Sequence, residues 1–287
     1  MHHWSFPIPF TMFLALVVFC YVRGWLHLRS AFPRIINLRQ MAAFIGGLFA
    51  IWVAAGSPLA VMDHELLSIH MVQHLLLMAV APPLILLGAP IPALLHGLPQ
   101  ELVQAIIGPL RRSISMRRIA TCIGHPIFCW FAGTMTVIAW HLPALFALGL
   151  HSALWHETES ASFLMAGLLF WWPVLQPWPS ASRISQWSVP LYLFLATLPC
   201  DALSAFLTFC GRVIYPSYLS APHLFPISAL QDQEWAGVLM WVSVTFLYML
   251  PALLLTVRML TPSDSESVTL GPKSFSISSV PPRRVGE

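Results

Sequence analysis

The chain has 287 residues, is 57% hydrophobic and only 9% charged, and has a mean hydropathy of +0.75. That composition excludes an ordinary soluble globular domain, and a net charge of +3 drawn from so few ionisable groups gives no ground for a nucleic-acid partner. The five cysteines include no CxxC pair and all lie in or at the ends of apolar runs, so they do not read as a disulfide framework.

Apolar runs of about 20 residues, each able to cross a hydrocarbon core of roughly 30 Å, recur along the chain. Repeated crossing requires the backbone to be satisfied internally, hence helices. The first predicted span covers Ile8 to Leu26. Its leading MHHWSFPIPF has neither a basic n-region nor a small-residue cleavage signal, so this run is expected to be retained. The second covers Leu38 to Gly56 and the third Glu65 to Gly88, where Pro82 and Pro83 predict a kink and a widened cavity beneath His74. Next, PQELVQAIIGPLRRSISMRR predicts a short interfacial helix, opened by Pro99 at its first helical position and closing in four Arg that face anionic headgroups. The fourth span runs from Ile119 to Trp140. The fifth runs from His156 to Gln176, with Trp171, Trp172 and Trp178 near one end suited to an aromatic belt. The sixth covers Trp187 to Cys210 and the seventh Trp235 to Met259. The expected fold is therefore all-α, a bundle of seven transmembrane helices over residues 1–260, followed by a Ser- and Pro-rich disordered tail over 261–287.

Basic residues set the expected orientation. Arg23, Arg29, Arg34, Arg39, Arg111, Arg112, Arg117, Arg118, Arg183, Arg258, Lys273, Arg283 and Arg284 all fall on alternate connections, with Arg212 alone opposite. The positive-inside rule then places the N-terminus outside and the C-terminal tail in the cytoplasm.

Nine of the twelve His fall toward the outer half. His70 and His74, four residues apart in the third span, share one helical face. Asp201 in the sixth span reaches a similar depth, where a carboxylate costs on the order of 3 kcal/mol unless it finds a partner, so His74 and Asp201 are expected neighbours. The outer ends of spans four and five add His141, His151, His156, Glu157 and Glu159; the outer loops add Asp63, His64, His223, Asp232 and Glu234. Met71, Met78 and Cys200 supply soft sulfur at the same level. Imidazole with thioether or thiolate suits Cu(I), and imidazole with carboxylate suits Cu(II) or Zn(II). The competing reading makes the His residues interhelical hydrogen-bonding struts and the Met residues packing.

The blocks HMVQHLLLMAVAPPLILLGAP, WHLPALF with downstream His151 and His156, FLMAGLLFWWPVLQPWP and DQEWAGVLMW together resemble the multi-span CtaG-type (caa3-type) cytochrome c oxidase assembly factors, over about Asp63 to Arg258. The resemblance implies a multi-pass protein of the bacterial plasma membrane that works with cytochrome c oxidase subunits, with copper binding or delivery as the expected chemistry and no turnover of its own. Its motif residues correspond to His70, His74, His141, His156 and the Asp232–Gln233 pair. One departure is visible: where a further His is expected shortly after His156, this chain reads HETESAS, with Glu159 and Ser160.

The expected ligands are thus His70, His74, His141 and His156, with Met71, Met78 and Cys200 as soft donors. Asp201, Glu159 and Asp232 are expected as supporting carboxylates or a proton relay. Three alternatives compete: a haem protein with His70 or His74 as an axial ligand paired to His141 or His156, a di-iron protein built on HxxxH boxes, and a proton- or metal-coupled transporter using Asp201 and His74.

Overall fold

The computed structural model describes residues 4–31, 37–175, 185, 187–220 and 226–261, with the side chains of Ile106, Ile107, Leu110, Arg111, Arg112 and Arg117 outside the described set. The predicted disordered tail and the positions His2, His3, Trp178, Arg183 and His223 lie outside the described residues. The described residues form helices joined by turns, and no strand.

Helix α1, Ile8–Ala31, turns Tyr21, Trp25 and Leu28 inward and leaves Phe13, Leu16 and Phe19 exposed, the pattern of a helix with protein on one side and an apolar solvent on the other. Asn37 and Gln40 form a capping box that starts α2, Leu38–Gly56. A single turn, α3 (Leu59–Met62), leads into the broken third span: α4 (Leu67–Leu75), a π-helical turn (Leu76–Val80) and α5 (Ala81–Leu87). The predicted irregularity at Pro82 and Pro83 takes this form because neither proline can donate an N–H and each ring crowds the carbonyl four residues back. A wider turn just ahead absorbs both effects, and the pair then sits in the first turn of α5.

The chain reverses at Ala89, which adopts left-handed φ of 45° between Gly88 and Pro90. Tyr21 fixes this corner by donating its hydroxyl to the Gly88 carbonyl at 2.7 Å. Helix α6, Pro90–Gly97, then packs on α1 through Gly24 and Gly97, where a Cβ on either would collide with the other helix's backbone.

The predicted interfacial helix is two helices, α7 (Gln100–Arg112) and α8 (Ile114–Ile123). Pro99 is the N-cap of α7 rather than its first helical residue, since its carbonyl already accepts from Val103. The fourth predicted span is not one continuous helix. It breaks between α8 and α9 (Pro126–Trp140) with a bend of 62°, because Pro126 begins a new helix capped by the His125 imidazole.

Helix α10 (Pro143–His151) leads to α11 (Ala153–Leu175); α12 (Ser188–Phe209), a 3₁₀ turn (Pro216–Leu219) and α13 (Ala229–Leu260) complete the fold. Helices α12 and α13 pack along each other, α9 lies against α11, α2 against α5, and α4 against α13. Trp171 is buried edge-on against Phe170 and Tyr248 rather than standing in an aromatic belt.

Five helical stretches are long and apolar enough to cross a membrane: α1, α2, Leu67–Leu87, α12 and α13, with the bent α8–α9 pair as a sixth if it counts as one crossing. Helix α11 is 23 residues long, but His156, Glu157 and Glu159 occupy its first two turns.

Candidate metal centre

Helix α4 carries His70 and His74 on one face, both buried. Its own N-cap residue, Leu66, offers no side-chain acceptor. The cap comes instead from α13, where Asp232 accepts from the backbone of Leu67 at 2.6 Å and Ser68 at 3.3 Å, and from the Ser68 hydroxyl at 2.6 Å. Asp232 sits in the first turn of α13, which a Ser228–Gln231 capping box fixes. The neighbouring Gln233 accepts from Ile214 and donates to the carbonyls of Leu207 and Arg212, tying α13 to the end of α12. These contacts set the start of α4 and hence the depth of His70, one turn further in.

The imidazoles are then held ring against ring. Phe146 of α10 lies edge-on to His70 at 4.9 Å, and Phe163 of α11 stacks on His74 at 4.2 Å. The two Nε2 atoms meet at 2.8 Å. Glu159 of α11, itself buried, brings Oε1 to 3.4 Å from His70 Nε2 and 3.3 Å from His74 Nε2. Gly149 of α10 leaves the room for this carboxylate; a Cβ there would lie 2.5 Å from Glu159 Oε2.

The three donor atoms lie 2.8–3.4 Å from one another, close enough that His70, His74 and Glu159 would together hold a single ion. The three groups, from two helices, are of the residue types that hold a metal ion.

A second group lies beside the first. The buried carboxylate of Asp63, at the end of α3, has Oδ2 3.2 Å from His156 Nε2 and Oδ1 3.8 Å from His64 Nε2. Burial, with the nearby Glu159 carboxylate adding to it, pushes the Asp63 carboxyl up to about 7. The backbone on this side is pinned by the 3₁₀ turn. Tyr218 donates its hydroxyl to the Asp63 carbonyl and Tyr215 donates to the His141 carbonyl, each at 2.9 Å.

His141 caps the end of α9 and is buried, which pulls its imidazole down to about 4 and keeps it neutral. Its Nδ1 lies 2.7 Å from the Val137 carbonyl, which can only accept, so Nδ1 carries the proton and the lone pair on Nε2 is available. That Nε2 is buried without a hydrogen-bond partner among the described residues. His141 and His74 line a cavity of about 30 Å³ together with Met71, Met78, Met240 and Cys200. The space suits one water-sized occupant.

Residues 19–261 match the family described as cytochrome c oxidase caa3 assembly factor (Caa3_CtaG). The chain belongs to this family. It is also similar to uncharacterized proteins of Mycobacterium bovis and Mycobacterium tuberculosis, each 25% identical over 234 residues, 77% of this chain and 33% of the relative. One of Mycobacterium leprae is 24% identical over 229 residues, 77% of this chain and 34% of the relative. The chain thus spans about a third of the length of the curated relatives it matches. No solved structure matches it.

In this member of the family the fold gathers His70, His74 and Glu159 into one group and His156 into the group beside it, while His141, Met71, Met78 and Cys200 line the cavity behind His74. Asp201 does not complete the set. It accepts from Thr245 at 3.5 Å between α12 and α13, and Glu159 occupies the position beside His74 that depth alone assigns to Asp201. Asp232 serves as the cap of α4. His151 and Glu157 remain exposed. Sequence reasoning missed Gly149, Tyr215, Tyr218 and Met240 as parts of the site. Of these only Met240 carries a visible signal, as a sulfur in the block that opens with Asp232 and Gln233.

Proposed function

We propose that this chain binds copper as cargo through His70, His74 and Glu159, with His141 and the sulfur-lined cavity behind them, and presents it to cytochrome c oxidase subunits during assembly. Family membership supports the role in oxidase assembly, and the donor set supports the metal. Two imidazoles and a carboxylate stand before a wall of three thioethers and a thiol, a combination of borderline and soft donors that suits copper. The observation carrying this reading is the convergence of three buried donor atoms within 3.4 Å of one another.

The reading includes seven crossings of a bacterial plasma membrane, with the α8–α9 pair and α11 completing the count. Its N-terminus lies outside, so that the centre opens on the non-cytoplasmic side. The distribution of Lys and Arg supports that orientation.

A haem alternative needs axial imidazoles on opposite faces of a macrocycle. Phe146 and Phe163 lie against the rings of His70 and His74, and the cavity that His74 and His141 line holds only about 30 Å³, which favours a single ion over a macrocycle paired to His141 or His156. A relay through Asp201 and His74 loses its pair, because the Asp201 carboxylate turns to Thr245.

The test is copper content of the purified full chain under reducing conditions, alongside oxidase activity in cells carrying each variant. His70→Ala with His74→Ala is expected to remove one tightly held copper per chain and to lower assembled oxidase. Unchanged copper and full oxidase activity in that double variant would overturn the reading.

A further inference from the structure

The chain carries its donor combination twice. His70, His74 and Glu159 are one set of two imidazoles and a carboxylate; His64, His156 and Asp63 are another. The first set is buried throughout, whereas the His64 side chain is 42% exposed and that of His156 14%. The two sets share a hinge on α11. His156 and Glu159 are three residues apart and therefore on one face of that helix. His156 turns Nε2 to Asp63 at 3.2 Å and Nδ1 to Glu159 Oε2 at 4.0 Å. Glu159 in turn points Oε1 at His70 and His74 and Oε2 at His156. Neither His156 Nδ1 nor Glu159 Oε2 has a hydrogen-bond partner among the described residues, although both are buried. The contact with Asp63 accounts for one nitrogen of that ring and leaves the other aimed at a carboxylate oxygen that is itself unsatisfied.

We infer that Asp63, His64 and His156 form a second copper site that loads the buried one, with His156 and Glu159 as the passage between them. The inference rests on the copper reading above. The hand-off is a ligand exchange without change of oxidation state: a bond from the ion to Glu159 Oε2 forms as the bond to His64 Nε2 breaks. Glu159 then swaps one oxygen for the other as bonds to His70 and His74 form and those to Asp63 and His156 break. Each station pairs one carboxylate with two imidazoles, so a monovalent ion meets the same charge balance in both and no net charge separates along the route.

The experiment uses the full chain in detergent, stripped with chelator and titrated with Cu(I) under anaerobic reducing conditions, with stoichiometry at equilibrium and filling followed in time. Wild type is expected to take two ions per chain. His64→Ala, at an exposed position, is expected to take one and to fill it at least about tenfold more slowly, in line with the ~10–100-fold effect of losing a supporting group at a metal site. His70→Ala with His74→Ala is expected to take one ion at the wild-type rate. If His64→Ala keeps the wild-type stoichiometry and rate, and wild type binds a single ion that the double variant loses, the loading site is overturned and the buried centre stands. If the single ion survives the double variant and is lost in His64→Ala, the buried centre falls and the hand-off with it. Size-exclusion profiles of the variants exclude misfolding as the cause of either loss.

Discussion

Replacing Asp232 by Ala tests whether a carboxylate on α13 sets the start of α4. The side chain accepts three hydrogen bonds, from Leu67 N at 2.6 Å, Ser68 N at 3.3 Å and Ser68 Oγ at 2.6 Å, and it is 2% exposed. A hydrogen bond to a charged acceptor contributes about 1.5–3 kcal/mol, and a buried N–H left without a partner costs about 1–3 kcal/mol. The three do not add. The Ser68 hydroxyl can turn to a backbone carbonyl of its own helix, and the 3.3 Å contact is long. What survives is the short bond to Leu67 and the orphaned donors at the helix start, for a net loss of about 2–4 kcal/mol in Asp232→Ala. Asp232→Asn keeps one acceptor oxygen and should lose about half as much. Equilibrium unfolding in mixed micelles measures both. Copper affinity should fall in parallel with the stability loss, because His70 lies one turn beyond the capped residues. A loss below about 1 kcal/mol in the alanine variant would refute the capping role, as would an asparagine variant no better than alanine.

Three further expectations follow from the same geometry. Glu159→Gln keeps the shape of the side chain but removes the carboxylate that, among the described residues, faces both His70 and His74, so copper affinity should drop about 10–100-fold while the helical content by circular dichroism stays unchanged. Gly149→Val places a side chain where Glu159 Oε2 now lies, and should weaken copper binding and cost about 1–3 kcal/mol, both read on one purified sample. Asp63, pushed up to about 7 when folded against roughly 3.9 when unfolded, holds its proton better in the folded chain. Its contribution to stability is therefore fully present below about pH 4 and lost as pH rises to 7. In metal-stripped protein the unfolding free energy of wild type relative to Asp63→Asn should fall by about 4 kcal/mol across that window; a flat difference would refute the shift.

Much of this arrangement is legible in the sequence, and what is not has identifiable causes. His70 and His74 announce a shared face because their spacing matches the helical repeat, and most of the crossing helices follow from hydropathy alone. Asp201 misleads because depth fixes the level of a residue in the bundle and not its direction. Successive residues point about 100° apart, so Cys200 lines the cavity with His74 while Asp201 turns to Thr245. The same rotation separates Trp171, which is buried, from Trp172 beside it. Asp232 and Gln233 stand out as polar residues at the start of an apolar helix, where a ligand and a cap look alike in one dimension. The hydrogen bonds to Leu67 and Ser68 decide for the cap. Pro126 did mark a helix start, but the apolar run on either side of it hid the 62° bend. Glu159 was visible as a departure from the family's motif; that it faces both His70 and His74 depends on Gly149 of α10, which no local pattern reveals.

Charge balance gives the copper reading its selectivity. A cation moved into a low-dielectric interior loses hydration worth several kcal/mol even after relaxation, and recovers it only if the surrounding charges cancel its own. His70 and His74 bring no charge as neutral ligands, and Glu159 brings one negative charge, so a monovalent ion forms a neutral complex in this buried pocket. A divalent ion leaves one uncompensated positive charge among Phe146, Phe163 and the sulfur side chains, where nothing nearby on α4 or α10 offsets it. The Asp63 carboxylate of the neighbouring group faces His156 instead. Soft thioethers behind His74 add to the preference for Cu(I) over harder ions. On the copper reading, a group with this charge balance admits one charge state readily.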